Sequence, residues 1–492
     1  MPHERRPRKL VGATVALGTL LVASAHVGTS NAYFEGMAGP YPLRVIVRTP
    51  GVIPGLAQIS VRITGEAQPS AITVRPLRWD AGLEGAPPAD TARAVPGESG
   101  LYAAELWLMT TGSYSVRVSV VGDAGDGVAL VPVNAVAERR LDMNRGMAAA
   151  LIAAALFLFV GAITIFGAAV RESVLEPGAD PSPRRRRASL LAMAVGGVVL
   201  ALILWAGWSW WGAVDRAYRA GMFRPLETSA TVTGSGDAAV LTLRIDDPTW
   251  RGRGWTPLIP DHGKLMHMFL VGDDLSVFAH VHPESADSSS FVTALPPLPA
   301  GDYRIYADIV HESGFAQTLV DMVRVADAGS TSGNTTFEAD PDDSWAELPV
   351  YGQPAGVVFE LPSGRRVAWV SNRAPRSDEE VTLEFGVSEP DGTPAVLEPY
   401  MGMLSHAAVT KVDGSVFVHL HPAGSISMAA MQRFEAGAGS GRPAVAMPGM
   451  HPEATGVVRF PFVFPVAGDY RVYVQVKLAD RVETASFDVG VR

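Results

Sequence analysis

The chain has 492 residues, a formal net charge of −10 and no cysteine. That length exceeds one ordinary domain, and the lack of cysteine excludes both a disulfide framework and thiolate metal chemistry. Acidic and basic residues are interspersed, with no basic stripe to meet phosphates, which excludes nucleic acid as a partner.

Arg5, Arg6, Arg8 and Lys9 precede an apolar run from Leu10 to about Ala25. Ala23-Ser24-Ala25 and Ser30-Asn31-Ala32 are small-residue exits after it. A basic head, a short apolar core and such an exit predict a secretory signal over residues 1–32, so the segment that follows is expected to be extracytoplasmic. Residues 33–140 alternate apolar and polar in "LRVIVRT", "AQISVRIT" and "YSVRVSVV", separated by Pro and Gly clusters. Period-2 patterning of this kind predicts a first β-domain.

Two charge-free apolar runs follow, Gly146–Val170 and Ser189–Gly212. Each is long enough to cross roughly 30 Å of hydrocarbon, which predicts transmembrane helices over 146–170 and 189–212. Trp205, Trp208, Trp210 and Trp211 form an aromatic belt at the far end of the second. The loop between them, 171–188, carries Arg184 to Arg187 and is expected in the cytoplasm. The chain is therefore expected in the cytoplasmic (inner) membrane, with its β-domains on the periplasmic side.

Residues 228–325 hold "VLTLRI", "LMHMFLV", "SVFAHVH", "YRIYADIV" and "TLVDMVRV", a second β-domain. A polar stretch over 326–344 reads as a linker, and 345–492 as a third β-domain. An insertion rich in Gly, Ala and Met around Met428–Gly456 reads as a long loop. Gly112-Ser113-Tyr114, Gly301-Asp302-Tyr303 and Gly468-Asp469-Tyr470 each open a late strand. In immunoglobulin-like sandwiches a tyrosine in this place pins a corner through its hydroxyl. The expected fold is all-β: three immunoglobulin-like β-sandwich domains plus a two-helix transmembrane hairpin.

The second and third domains repeat one histidine spacing, 139 positions apart: His267, His280 and His282, then His406, His419 and His421. In the first copy two short strands flank a Gly-Asp-Asp turn, which is a hairpin. His280 and His282 share a face of one strand, and His267 falls opposite or diagonal to His280 on the other. Each triad should bring its imidazoles within about 5–6 Å, giving one metal site per domain. Imidazole suits zinc and copper, and thioether suits Cu(I). Further possible ligands are His311, Met403, Met450 and His451, beside His262, Glu312, Met401, Met428, Met431 and Met447. Copper is the expected ion, with zinc the other candidate, and the methionine-rich insertion points to Cu(I) in the third domain. His26 would be the residue freed by cleavage after Ala25. The competing reading makes the histidines structural residues copied by duplication, in a metal-free adhesion or assembly protein. There is no G-x-S-x-G, no H-E-x-x-H and no phosphate loop, so no enzyme is expected, although three histidines around an open position leave a copper enzyme as a third possibility.

The strand pattern "PLRVIVRTPGVIPGLAQISVRI" and the three Gly-x-Tyr strands resemble extracytoplasmic β-sandwich domains of the YtkA-like kind, and more loosely the CopC-like copper-resistance kind. "LMHMFLVGDDLSVFAHVHP" is similar to segments of exported bacterial proteins linked with heavy-metal handling. The resemblance, which covers the three β-domains and not the membrane hairpin, implies small exported metal-handling modules; the partners expected of the whole chain are a metal ion, the membrane and a periplasmic protein.

Overall fold

The computed structural model describes residues 31–492 apart from 177, 235–238, 251–256, 327–338, 347–348, 371–373 and 438–455. The expected signal segment, His26, Met447, Met450 and His451 lie outside the described residues.

The first module is built from β1 (Ala32–Ala38), β2 (Tyr41–Arg48), β3 (Gly55–Ile63), β4 (Ala71–Arg78), β5 (Asp90–Ala94), β6 (Leu101–Leu108), β7 (Gly112–Val121) and β8 (Gly127–Ala135). They form one antiparallel sheet in the order β1-β2-β3-β6-β5-β4-β7-β8. Alternate residues such as Val45, Ile59, Val74, Val118 and Val131 turn inward to a common core. The sheet curls until its ends meet. A Cβ on Gly127 would fall 1.9 Å from the Ala38 carbonyl oxygen, so only glycine permits this approach.

Helices α1 (Arg145–Glu172) and α2 (Pro183–Ala220) follow, both long and apolar enough to cross a membrane. Ser182 caps α2 and Pro183 starts it. Arg184 to Arg187 therefore stand in the first turn of the helix, and the connecting loop is shorter than the 171–188 read from charge. Small residues let the helices touch: the Ser189 hydroxyl donates to the Gly167 carbonyl at 2.8 Å, and a Cβ on Gly167 would meet Met193. The far end of α2 is tied to the first module. Tyr218 donates to the Arg139 carbonyl, Asp215 pairs with Arg140, and Phe223 N–H donates to the Ala137 carbonyl. The first and second modules thus leave the hairpin at the same end.

The second module holds β9 (Thr228–Thr233), β10 (Val240–Ile245), β11 (His267–Gly272), β12 (Phe278–Val281), β13 (Glu284–Ser285), β14 (Ser290–Ala294), β15 (Gly301–Val310) and β16 (Ala316–Val325). The third holds β17 (Ser344–Trp345), β18 (Gln353–Pro354), β19 (Val358–Glu360), β20 (Arg366–Trp369), β21 (Glu380–Ser388), β22 (Ser405–Lys411), β23 (Phe417–Leu420), α3 (Met428–Gly437), β24 (Val457–Val463), β25 (Gly468–Leu478) and β26 (Arg481–Val491). Each module packs a four-stranded sheet on a five-stranded one. These are β13-β14-β10-β9 on β16-β15-β11-β12-β17, and β19-β20-β21-β24 on β18-β26-β25-β22-β23. The three tyrosines of the Gly-x-Tyr strands all reach back four residues: Tyr303 to the Pro299 carbonyl, Tyr470 to the Val466 carbonyl, and Tyr114 to the Thr110 hydroxyl.

Two sequence expectations are corrected here. The stretch 326–344 is not a spacer at its end, because Ser344 and Trp345 form β17 against the edge of β12 in the second module. The insertion begins as helix α3 and not as loop. Its run from Met428 to Ala436 lacks proline, glycine and β-branched residues, and the Ser427 hydroxyl accepts from Ala430 N–H at its start. Met428 and Met431 join the first module's core, Phe434 packs on Leu77 and Leu130, and Ala429 and Ala430 meet Val310 of the second module. The helix therefore wedges between all three modules.

The outer faces of the two five-stranded sheets are packed against each other. On β11, Met268 and Leu270 enter the second module's core with neighbouring Met266, while Phe269 and Val271 face the third module. On β22 and β23, Ala407, Val409, Val418 and Leu420 face inward, while Ala408 and Phe417 face the second module. Phe278 stacks on Tyr473 and Tyr306 on Phe417, each with ring centroids 4.2 Å apart. Tyr473 donates to the Leu275 carbonyl and Tyr306 to the Gly414 carbonyl. Each contact recurs with the modules exchanged, so the interface has a pseudo-two-fold axis. Phe417→Ala is expected to cost about 3–5 kcal/mol of stability through the cavity it leaves, measured by denaturant unfolding of the full chain in detergent. A loss under about 1 kcal/mol would contradict tight packing there.

Candidate metal centre

The histidines occupy the same outer faces. The register pairs Met268 with Val281 and Phe269 with His280, which sets His267 opposite His282 and diagonal to His280. Ring centroids in this triad are 4.7, 5.0 and 5.4 Å apart. In the third module they are 4.5, 5.2 and 5.3 Å apart. Both triads thus converge as the hairpin register implies. The two triads remain distinct groups but are not isolated in their own modules, because they meet across the interface. His419 stands 5.5 Å from both His267 and His280, and His280 stands 6.4 Å from His406.

Each ring is held by its outward nitrogen. His267 Nε2 donates to the Asp261 carbonyl and His406 Nε2 to the Tyr400 carbonyl. His282 Nδ1 donates to the Asp343 carboxylate at 3.0 Å and His421 Nδ1 to the Ile426 carbonyl at 3.3 Å. His280 Nδ1 donates across the interface to Gln475 Oε1 at 3.0 Å, while His419 Nδ1 faces the Asp308 carboxyl at 3.5 Å. Gln475 and Asp308 are exchanged positions, pairing in register with His406 and His267.

A neutral imidazole carries one proton. With the outward nitrogens donating, His267 Nδ1, His280 Nε2 and His282 Nε2 are bare, as are His406 Nδ1, His419 Nε2 and His421 Nε2. His267 Nδ1 lies 3.2 Å from His280 Nε2, and His406 Nδ1 lies 3.1 Å from His419 Nε2; the tautomer decides which of each pair carries a proton, and in the tautomers with every outward nitrogen donating the inner lone pairs face each other. His282 Nε2 and His421 Nε2 are buried without a hydrogen-bond partner. Two nitrogens bound tetrahedrally at 2.0–2.1 Å to one ion stand about 3.3 Å apart. The donor set and its outer hydrogen bonds fit a borderline divalent or monovalent transition metal.

Burial, then the neighbouring histidines, hold His280, His406 and His419 well below the usual imidazole value. His267 and His421 are also lowered, by burial first, against a partial offset from Asp261. Burial pushes the Asp308 carboxyl up to about 7. The first module secures the edge of the site. Ser425 N–H donates to the Tyr33 carbonyl and Glu35 N–H to the Ala423 carbonyl, fixing the loop that holds His421. A cavity of about 130 Å³ where the three modules meet reaches Asn134, Asp308, Gln317, His419 and His421.

Of the other sequence candidates, His262 stands beside the triads, 5.1 Å from His421 and 5.6 Å from His406, while Met403 and His311 lie elsewhere. Met403, like Met428 and Met431, is buried in the apolar cluster of the first module. His311 packs against Trp250 and Phe315. Asp343, Asp308 and Gln475 were missed. The available signal was the aromatic residues at the outward positions beside the histidines, since strands apolar on both faces are buried on both.

A family described as "Domain of unknown function (DUF8832)" matches residues 226–327 and 362–492, the two histidine-bearing modules. No curated protein matches the sequence. Among solved structures, a tetra-tandem repeat from the extending region of a large adhesion protein is 10% identical, over 93% of this chain and 82% of that one, with a TM-score of 0.16. A Salmonella alpha-2-macroglobulin mutant is 11% identical over 98% of this chain, with a TM-score of 0.20; this chain spans 24% of its length. A Ca²⁺-stabilized, ice-binding adhesin of an Antarctic bacterium is 8% identical over 95% of this chain and 75% of that one, with a TM-score of 0.14. Likeness at these TM-scores leaves function to be read from the site itself.

The lowered histidines set a pH dependence. Below about 6.5 the unfolded chain takes up protons that the buried rings refuse, so stability is lost as pH falls from there. Each ring that protonates only on unfolding adds a slope of about 1.4 kcal/mol per pH unit. The melting midpoint of the metal-depleted chain should drop steeply between about pH 7 and pH 5. A midpoint flat over that range would show that the rings titrate alike folded and unfolded.

Proposed function

We propose that the chain is a membrane-anchored, extracytoplasmic metal-binding protein that captures, buffers or passes copper, with zinc the other candidate ion. Its second and third modules are read as immunoglobulin-like sandwiches of the YtkA-like kind, while the first is a single sheet closed on itself. The observation that carries the reading is the meeting of inner imidazole nitrogens in two groups of three, with five outward nitrogens hydrogen-bonded and the sixth, His419 Nδ1, facing the Asp308 carboxyl at 3.5 Å. Structural histidines gain from hydrogen bonds, whereas opposed lone pairs gain only from a cation between them. The ion enters through the cavity at the module junction, and release to a periplasmic partner uses the same route. No bond-making step is assigned to the site.

Metal titration of the depleted full chain in detergent tests this reading. Two ions per chain and a raised melting midpoint are expected, because metal binds the folded centre. His280→Ala with His282→Ala should abolish one position and weaken the other, since His280 and Gln475 are bonded across the interface. A second reading is the metal-free adhesion or assembly protein with structural histidines. It takes the lead if neither copper state nor zinc moves the midpoint.

The topology reading rests on the signal-like N-terminus, the arginines that open α2, and the attachment of modules at one end of the helix pair. Reporters fused after residue 225 should be active only when the reporter works outside the cytoplasm. Activity of a cytoplasmic reporter there would overturn the arrangement.

A further inference from the structure

The two metal positions share one framework but differ at one matched pair of residues. His262 lies in a two-residue turn: Asp261 and Lys264 exchange backbone hydrogen bonds at 2.8 and 2.9 Å. His262 and Gly263 both take the left-handed conformation, with φ of 50° and 83°, as a tight hairpin turn requires. The same turn recurs 139 positions later. Tyr400 and Met403 exchange the same bonds, and Met401 and Gly402 have φ of 49° and 78°. His262 and Met401 are thus the same place in the two halves, held in a backbone shape that neither residue type prefers.

His262 belongs by sequence to the second module but leans toward the third module's triad. Its ring centroid is 5.1 Å from His421 and 5.6 Å from His406, against 6.1 Å from His267 of its own module. The third triad's own rings are 4.5–5.3 Å apart, so His262 stands at nearly triad spacing from two of the three, His421 and His406. Its Nε2 is buried and has no hydrogen-bond partner. A buried imidazole nitrogen without a partner is costly unless something binds it.

We infer that His262 is a fourth ligand, lent across the interface to the ion held by His406, His419 and His421. By the pseudo-two-fold, Met401 stands at the matching place beside His267 and His282. The third-module position then offers four imidazoles, and the second-module position three imidazoles and a thioether. The second-module position is the one suited to Cu(I), the reverse of the preference expected from the methionine-rich insertion. The inference rests on the proposed metal binding of the triads.

Zinc is the probe, competed against a chromophoric chelator on the full chain in detergent. The variants are His262→Gln and His262→Met. The second places in this turn the residue that Met401 already supplies in the matching turn, so the fold has a precedent for it. Both variants should keep two zinc ions per chain while one of the two binds more weakly by roughly tenfold or more. In a background carrying both His406→Ala and His421→Ala, where the third-module position is dismantled and the second-module position remains, His262→Met should leave zinc affinity unchanged. If the unaltered chain binds no zinc, the metal reading itself falls. If it binds two and both His262 variants match it, His262 is no ligand. If the affinity lost in the variants is that of the position remaining in the His406→Ala, His421→Ala background, the ligand serves its own module and the loan across the interface is overturned.

Discussion

Two β-sheets packed outer face to outer face impose most of what is specific about this molecule. In an antiparallel sandwich one face of each sheet lines the core and the other ordinarily meets water. Here β11, β12, β22 and β23 are buried on both faces. The second apolar layer, built from Phe269, Phe278, Tyr306, Phe417 and Tyr473, excludes water from the strip of strand that also carries the histidines. Without that layer the triads would be exposed hairpin residues, free to protonate and to turn. Sealed beneath it, they are oriented and close.

The same seal creates an electrostatic problem. His267, His280, His406, His419 and His421 are held toward the uncharged form by burial first, with neighbouring histidines adding to it, yet the outer hydrogen bonds turn the inner nitrogens of both triads toward one another. Carboxyl groups stand behind the assembly at Asp308 and Asp343. Such surroundings accept positive charge more readily at the centre, where all the lone pairs meet, than as a proton on any one ring.

Much of the architecture was legible in the sequence because period-2 alternation and charge-free apolar runs are local signals. The hairpin register followed from the turn, and so did convergence of each triad. The tyrosines of the Gly-x-Tyr strands announced their hydroxyl bonds. What was not legible depended on contacts between modules. Nothing local says that Phe417 stacks on Tyr306, that Gln475 accepts from His280, or that Asp343 returns from a polar stretch to hold His282. The methionines were over-read for a related reason. Thioether chemistry suggested ligands at Met403, Met428 and Met431, while their positions between modules made them packing residues.

The pseudo-two-fold interface is the kind of surface a homodimer would make, the same patch on both partners. In a true homodimer symmetry couples the two sides, and every substitution appears twice. Joining both halves in one chain removes that constraint. Asp308 faces one triad where Gln475 faces the other, and His262 fills the turn that Met401 fills opposite. Covalent linkage thus permits a centre that is symmetric in scaffold and asymmetric in chemistry, with each pole open to separate tuning.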